Sequence, residues 1–218
     1  MDHFADRGEA GRLLADRVAE VLDERYGRDG LLVLGLPRGG VPVAATVAER
    51  LDAPLDVMVV RKLGVPWQRE LAMGAIAPYG TRVLNERVVR HVGVTREQID
   101  DAASREEAEL NRQLDTYRHD RPPLEIAGRA VVIVDDGLAT GSSALAAAYA
   151  VRSQQPRRLI LAAPVGAPDT VGTLAELDGI DAVVCPLAPV GFIAVGQYYR
   201  HFGQVSDDEV VAALASRS

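Results

Sequence analysis

The sequence predicts an α/β protein built on a mainly parallel sheet flanked by helices. Two observations carry this. Five short runs, at residues 31–36, 55–60, 129–136, 158–166 and 181–188, are apolar at nearly every position, as strands buried on both faces are. Helical segments fall between them, at about 41–51, 142–155 and 168–177. That alternation gives right-handed crossovers onto one sheet. A length of 218 residues suits a single domain with a full core.

The elements follow in order. Leu13, Leu14, Val18, Val21 and Leu22 recur at helical spacing among charges, so residues 10–26 read as an amphipathic helix ending near Gly27. "LLVLGL" (31–36) and "LDVMVV" (55–60) are the first two strands. "GAIA" and "TRVL", within 74–84, read as a short hairpin. Thr95 and Gln98 form a capping box. Ile99, Ala103, Leu110, Leu114 and Tyr117 then trace a long surface-lying helix that Arg121-Pro122-Pro123 stops, which makes 95–121 a helical insertion. After the last three strands, a second capping box, Ser206 with Glu209, opens the final helix.

Composition narrows the function. Hydrophobic content of 48% with 25% charged residues fits a soluble globular protein, and nowhere do 18 apolar residues run together. A net charge of -7 argues against nucleic acid or an anionic membrane as the main partner. "MDHFADRGEAGR" has no apolar signal core, and the single cysteine, Cys185, allows no internal disulfide. Both point to the cytoplasm, with Cys185 as a buried thiol. His91 and His119 lie in charged surroundings and read as surface residues; His201 stands near aromatics.

The chemistry concentrates in "VVIVDDGLATGSS" (131–143), where a buried strand ends in Asp135 and Asp136. A small-residue loop follows: Gly137, Leu138, Ala139, Thr140, Gly141, Ser142 and Ser143. Open α/β sheets bind ligands at the carboxyl ends of their strands. The free N–H groups and dipole of the next helix make an anion site there. The two carboxylates would repel that anion, so they suit a different role. They could accept hydrogen bonds from vicinal hydroxyls, or hold a hydrated Mg²⁺. Hydroxyls beside a phosphate describe a ribose 5-phosphate. The plain alternatives are a solvated strand end and an ordinary helix cap. Neither GxxxxGK[ST] nor GxGxxG occurs. Two further places could serve an anion. "GLPRGGVPVA" (35–44) sets Arg38, Gly39 and Gly40 between a strand and a helix, where the glycines would permit unusual backbone angles. Arg61 and Lys62 follow the second strand. Trp67, beyond them, has a plain reading as a core residue.

The stretch 131–143 resembles the phosphoribosyl-pyrophosphate (PRPP) signature of type I phosphoribosyltransferases: an apolar run, two acids and a loop ending T-G-x-T/S. It departs at Gly137, where a bulky apolar residue is usual, and at Ser142 and Ser143, where Gly and Thr are common. The resemblance implies a Rossmann-like fold with a small hood, formed by the N-terminal segment and about 186–205. It implies that Asp135 and Asp136 contact the ribose 2- and 3-hydroxyls and that Ala139 to Ser143 wrap the 5-phosphate. Residues 35–44 resemble the family's pyrophosphate loop, with a strained or cis non-proline peptide near Pro37-Arg38-Gly39. Residues 63–73, with Arg69 and Glu70, resemble a mobile loop that closes over the reaction.

The implied reaction transfers phosphoribose from PRPP to a nitrogenous base and releases pyrophosphate. Its catalytic residues would be Arg38, Arg61, Lys62, Asp135 and Asp136. Mg²⁺ would arrive with PRPP, with Asp135 and Asp136 as its protein contacts. In the hood, Phe192, Tyr198, Tyr199 and Phe202 would stack on the base. Ala139 stands where hypoxanthine–guanine enzymes carry an aspartate, which makes a 6-oxopurine less favoured. The long helix is read as an active-site cover or as the interface of a homodimer. The alternative function is a PRPP-binding regulator or sensor with little turnover.

Overall fold

The computed structural model describes residues 3–78, 80–118 and 121–215, without the Glu70 side chain. His119 and the Glu70 side chain, both singled out by sequence, therefore lie outside the described residues. Helix α1 (Arg7–Val21) runs through a π-turn (Leu22–Tyr26) into β1 (Leu31–Gly35). Then come α2 (Gly40–Leu51), β2 (Leu55–Val57), β3 (Arg61–Val65), β4 (Gln68–Ala77) and β5 (Thr81–Leu84). Helices α3 (Glu86–Val92) and α4 (Arg96–Arg118) lead to β6 (Ala130–Val134) and α5 (Ser142–Arg152). The chain ends with β7 (Arg158–Ala162), α6 (Pro168–Ala175), β8 (Ala182–Val184) and α7 (Asp207–Ala215).

The five apolar runs form one parallel sheet, ordered β2-β1-β6-β7-β8. Strict alternation explains why both faces had to be apolar. Leu32, Leu34, Val131, Ile133, Leu159 and Leu161 face α5 and α6. Leu31, Val33, Val132, Val134, Ile160 and Ala162 face α1, α2 and α7. Helix α5 buries Ala144, Ala146, Ala147, Ala148 and Ala150. Side chains this small let it lie close against the parallel sheet and a second sheet at once.

That second sheet contains the hairpin read within 74–84, with Gly74 opposite Leu84, and corrects the reading of the residues before it. Residues 63–73 are not a loop: β3 pairs antiparallel with β4 and turns at Pro66 and Trp67, and β5 completes the order β3-β4-β5. Leu63, Val65 and Met73 are fully buried and anchor it. The sequence hid the pairing because its register slips on both sides of Gly64. Trp67 is 58% exposed at the turn, so its reading as a core residue fails.

Helix α3 has no counterpart in the sequence reading, being only seven residues long with three valines, Val88, Val89 and Val92, that pack partly buried against the core; Asn85 caps it by accepting from the Val88 N–H at 3.1 Å. Both predicted capping boxes form. Thr95 N–H donates to Gln98 Oε1 at 2.9 Å and Gln98 N–H to Thr95 Oγ1 at 3.3 Å. Ser206 N–H donates to Glu209 Oε2 at 2.7 Å. Helix α4 packs Ile99, Ala102, Ala103 and Leu110 into the main core. At its far end the Tyr117 hydroxyl donates to Asp207 at 2.8 Å. Asp56, the buried charged side chain of the described residues, accepts from Arg118 Nη2 at 3.2 Å and Leu124 N–H at 3.0 Å, which pins the end of α4 to β2. No helix among the described residues is long and apolar enough to cross a membrane.

Candidate functional site

Two loops meet at the carboxyl end of the parallel sheet. The first leaves β6. Asp135 N–H still donates to Ala162 O at 3.1 Å, which carries the sheet pairing one residue past the strand. Its carboxylate turns back to accept from Asp136 N–H at 2.8 Å. Leu138 N–H donates to Val165 O at 2.9 Å and Thr170 Oγ1 to Ala139 O at 2.7 Å, so the loop is held from below and from α6. Gly141 has φ of 69°, a left-handed backbone that turns the chain into α5. The N–H groups of Ala139, Thr140 and Gly141 donate to no partner among the described residues. Ala139, Thr140 and Ser143 lie exposed at the rim. Small side chains, unpaired amides and a helix start thus occur together, as an anion site requires.

The second loop leaves β1. Its Pro37–Arg38 peptide is cis, at the place the sequence suggested. Gly39 and Gly40 are needed for a different reason than expected. Gly39 has an ordinary right-handed φ of -63°. A Cβ on Gly40 would stand 2.6 Å from Val134 O, and one on Gly39 would overlap the Asp136 carboxylate. The glycines allow the two loops to touch.

Gly137 has a similar explanation. A Cβ there would sit 2.5 Å from Val195, so the hood's Val195 fills the space a bulkier residue would take.

The cations are placed unevenly. Arg38 is 44% exposed, with Nη1 3.8 Å from Asp207. Arg61 is not directed into the crevice: its Nε and Nη2 hold Glu106 Oε2 of α4 at 2.8 and 2.7 Å. Lys62 is its partly buried neighbour on β3.

Sequence reasoning missed Arg7. Its Nε and Nη2 donate to Asp136 Oδ2 at 3.0 and 2.8 Å, its Nη1 to Gly203 O at 2.9 Å, and its guanidinium lies 4.1 Å over the Phe202 ring. Arg7 and Asp136 are 129 positions apart. No spacing could have linked them. The one hint was a basic residue at a helix start, where acids are favoured.

The aromatic readings also change. Tyr199 is 5% exposed, lies between Phe4 and Phe202 at 5.5 and 4.9 Å, and donates its hydroxyl to Asp136 O at 2.6 Å. It therefore supports the acid loop and offers no open stacking face. Phe192 and Tyr198 stack at 5.6 Å and remain partly exposed. Phe4 N–H donates to Tyr198 O and Arg200 N–H to Phe4 O, both at 2.8 Å, so the N-terminal segment and the strap around 198–203 form one cover.

Burial, and then the charge of Asp136, push Asp135 up to about 7. Burial raises Asp136 too, opposed by Arg7. Burial pushes the Cys185 thiol up to about 12, so it is inert at neutral pH. A cavity of about 370 Å³ opens between Arg7, Arg38, Gly39, Asp136, Phe202 and Gly203. A larger one, about 640 Å³, lies by Asp52, Asp56 and Arg118 before β2, away from both loops.

Fold and site together define an α/β protein with a composite crevice at the carboxyl end of its parallel sheet, a helix start on one side and an acid pair on the other. The sequence model of the phosphoribosyl transferase domain matches residues 5–199, and the chain belongs to that family. It is 49% identical over 214 residues to "Putative phosphoribosyl transferase Rv0571c" of Mycobacterium tuberculosis. The match covers 98% of this chain and 47% of that protein, so the chain spans about half the length of this relative. The crystal structure of TT1426 from Thermus thermophilus superposes with a TM-score of 0.89 at 41% identity, covering 99% of each chain. AQ2163 from Aquifex aeolicus shares the fold, with a TM-score of 0.52 at 12% identity over 95% of this chain and 86% of that one.

Proposed function

We propose that this protein is a phosphoribosyltransferase that moves 5-phosphoribose from PRPP to a nitrogen of a base-like acceptor and releases pyrophosphate. The observation that carries the reading is the contact between the two loops: Gly39 and Gly40 are pressed against Asp136 and the end of β6. A sugar held at its hydroxyls by Asp135 and Asp136 would have its 5-phosphate at the 139–143 amides and its pyrophosphate at Arg38, Gly39 and Gly40.

In this reading the residues work by position and charge. The acids accept from the diol, the start of α5 holds the phosphate, and Arg38 and loop amides stabilise the negative charge that grows on the leaving group. Arg61 would exchange Glu106 for the same charge, with Lys62 beside it. Asp135 and Asp136 offer the carboxylate oxygens that suit Mg²⁺ brought in with PRPP. Bound there, it would neutralise pyrophosphate oxygens. On the acceptor side, Phe192 and Tyr198 offer an aromatic surface. The segment from 186 to 199, before the strap, carries no ionisable side chain other than its tyrosines. With Ala139 at the loop, no carboxylate stands there to take a proton from a purine nitrogen, and this disfavours a 6-oxopurine acceptor.

Pure protein incubated with Mg²⁺, PRPP and a panel of purine and pyrimidine bases tests the proposal. Nucleotide formation with release of pyrophosphate is expected. PRPP binding without any product would favour the regulatory reading, and no response to PRPP would refute both.

A further inference from the structure

We propose that Arg7 is a positioning residue for the ribose-binding acid: it holds one oxygen of Asp136, leaves the other for ligand, and ties that carboxylate to the aromatic strap. The inference rests on the reading of Asp135 and Asp136 as the diol site.

The geometry is specific. Two guanidinium N–H groups converge on a single oxygen, Asp136 Oδ2, at 3.0 and 2.8 Å. Both side chains are largely buried, at 14% and 16% exposure. A buried pair held by two hydrogen bonds fixes orientation more firmly than a surface pair can. The same oxygen is the one pressed against Gly39 of the second loop. The third donor, Nη1, reaches Gly203 O at 2.9 Å, and the guanidinium plane covers Phe202 at 4.1 Å. From the strap side, Tyr199 donates to the Asp136 main-chain oxygen at 2.6 Å. Asp136 is therefore gripped at side chain and backbone by elements far away in sequence.

Arg7 also sits where it does α1 no service. It is the first residue of that helix, and a cation there opposes the dipole. Asp6 already caps the helix by accepting from Glu9 N–H at 2.9 Å. Arg7 acts through Asp136 and the strap, not through its own helix. At metal sites, outer partners that orient a ligating carboxylate typically affect affinity by roughly 10- to 100-fold, and a loss of that order is expected here.

The test uses Arg7→Met, Arg7→Lys, Asp136→Asn and the Arg7→Met/Asp136→Asn double variant. Calorimetric titration with Mg²⁺-PRPP should show affinity falling at least about tenfold in Arg7→Met and less in Arg7→Lys. The double variant should bind no more weakly than Asp136→Asn alone. In steady state the loss should fall on KM for PRPP more than on kcat. Equal affinity in wild type and Arg7→Met, or fully additive losses in the double variant, would overturn the proposal. A readout independent of ligand is hydrogen exchange: amides of residues 198–205 should exchange faster in Arg7→Met, and in Arg7→Lys should methionine not fold, while β1 stays unchanged. Unchanged strap exchange refutes the coupling even if wild type binds no PRPP; absence of wild-type binding refutes the functional reading instead.

Discussion

Asp135, in the role proposed for it, would serve binding at a cost in stability. Its carboxyl is pushed up to about 7 by burial and by Asp136, against an ordinary 3.8. The folded state therefore keeps a proton that the unfolded chain releases between about pH 4 and 7. The stability this group contributes is present below about pH 4 and lost as pH rises through 7. Asp135→Asn should raise the melting temperature at about pH 8 and leave it nearly unchanged at about pH 4; an equal shift at both values would contradict the assignment. At Gly137, substitution by Ile should destabilise by about 1–3 kcal/mol through overlap with Val195, and Val195→Ala should relieve part of that loss in a double-variant denaturation cycle. The acid pair was legible in the sequence because two adjacent charges ended an apolar run. Arg7, Glu106 and the burial of Tyr199 were not, because each depends on a contact between distant segments.

At the scale of elements, the parallel sheet was readable because each strand is buried on both faces and so is apolar throughout. The capping boxes of α4 and α7 were readable because their chemistry is local. Thr95→Ala should accordingly cost about 1 kcal/mol in urea unfolding. The β3–β4 hairpin was misread as a loop because a bulged register erases alternation. It presents the only tryptophan of the chain, 58% exposed at its turn, as a built-in probe. If the hairpin moves over a bound substrate, Trp67 fluorescence should change on adding Mg²⁺-PRPP and stay constant with inorganic phosphate. A signal that ignores PRPP under conditions where calorimetry shows binding would mean the hairpin is a rigid wall.

For the whole molecule, the fold brings its loops to one end of one sheet: the two glycine-bearing loops, a helix start, and a cover made from the N-terminal segment and the strap around 198–203. The larger cavity, before β2, lies outside this convergence. A ligand that binds only the folded state at about 100 times its Kd adds about 2.7 kcal/mol of stability, which for a chain of this size is a rise of roughly 5–10 °C in Tm. PRPP should give that rise and ribose 5-phosphate a smaller one. The most direct measurement is a crystal structure with Mg²⁺ and PRPP. The 5-phosphate is expected on the amides of 139–143, the diol on Asp135 and Asp136, and the pyrophosphate at Arg38, Gly39 and Gly40. PRPP bound in any other orientation, or at the cavity before β2 with the loop crevice unchanged, would contradict this assignment.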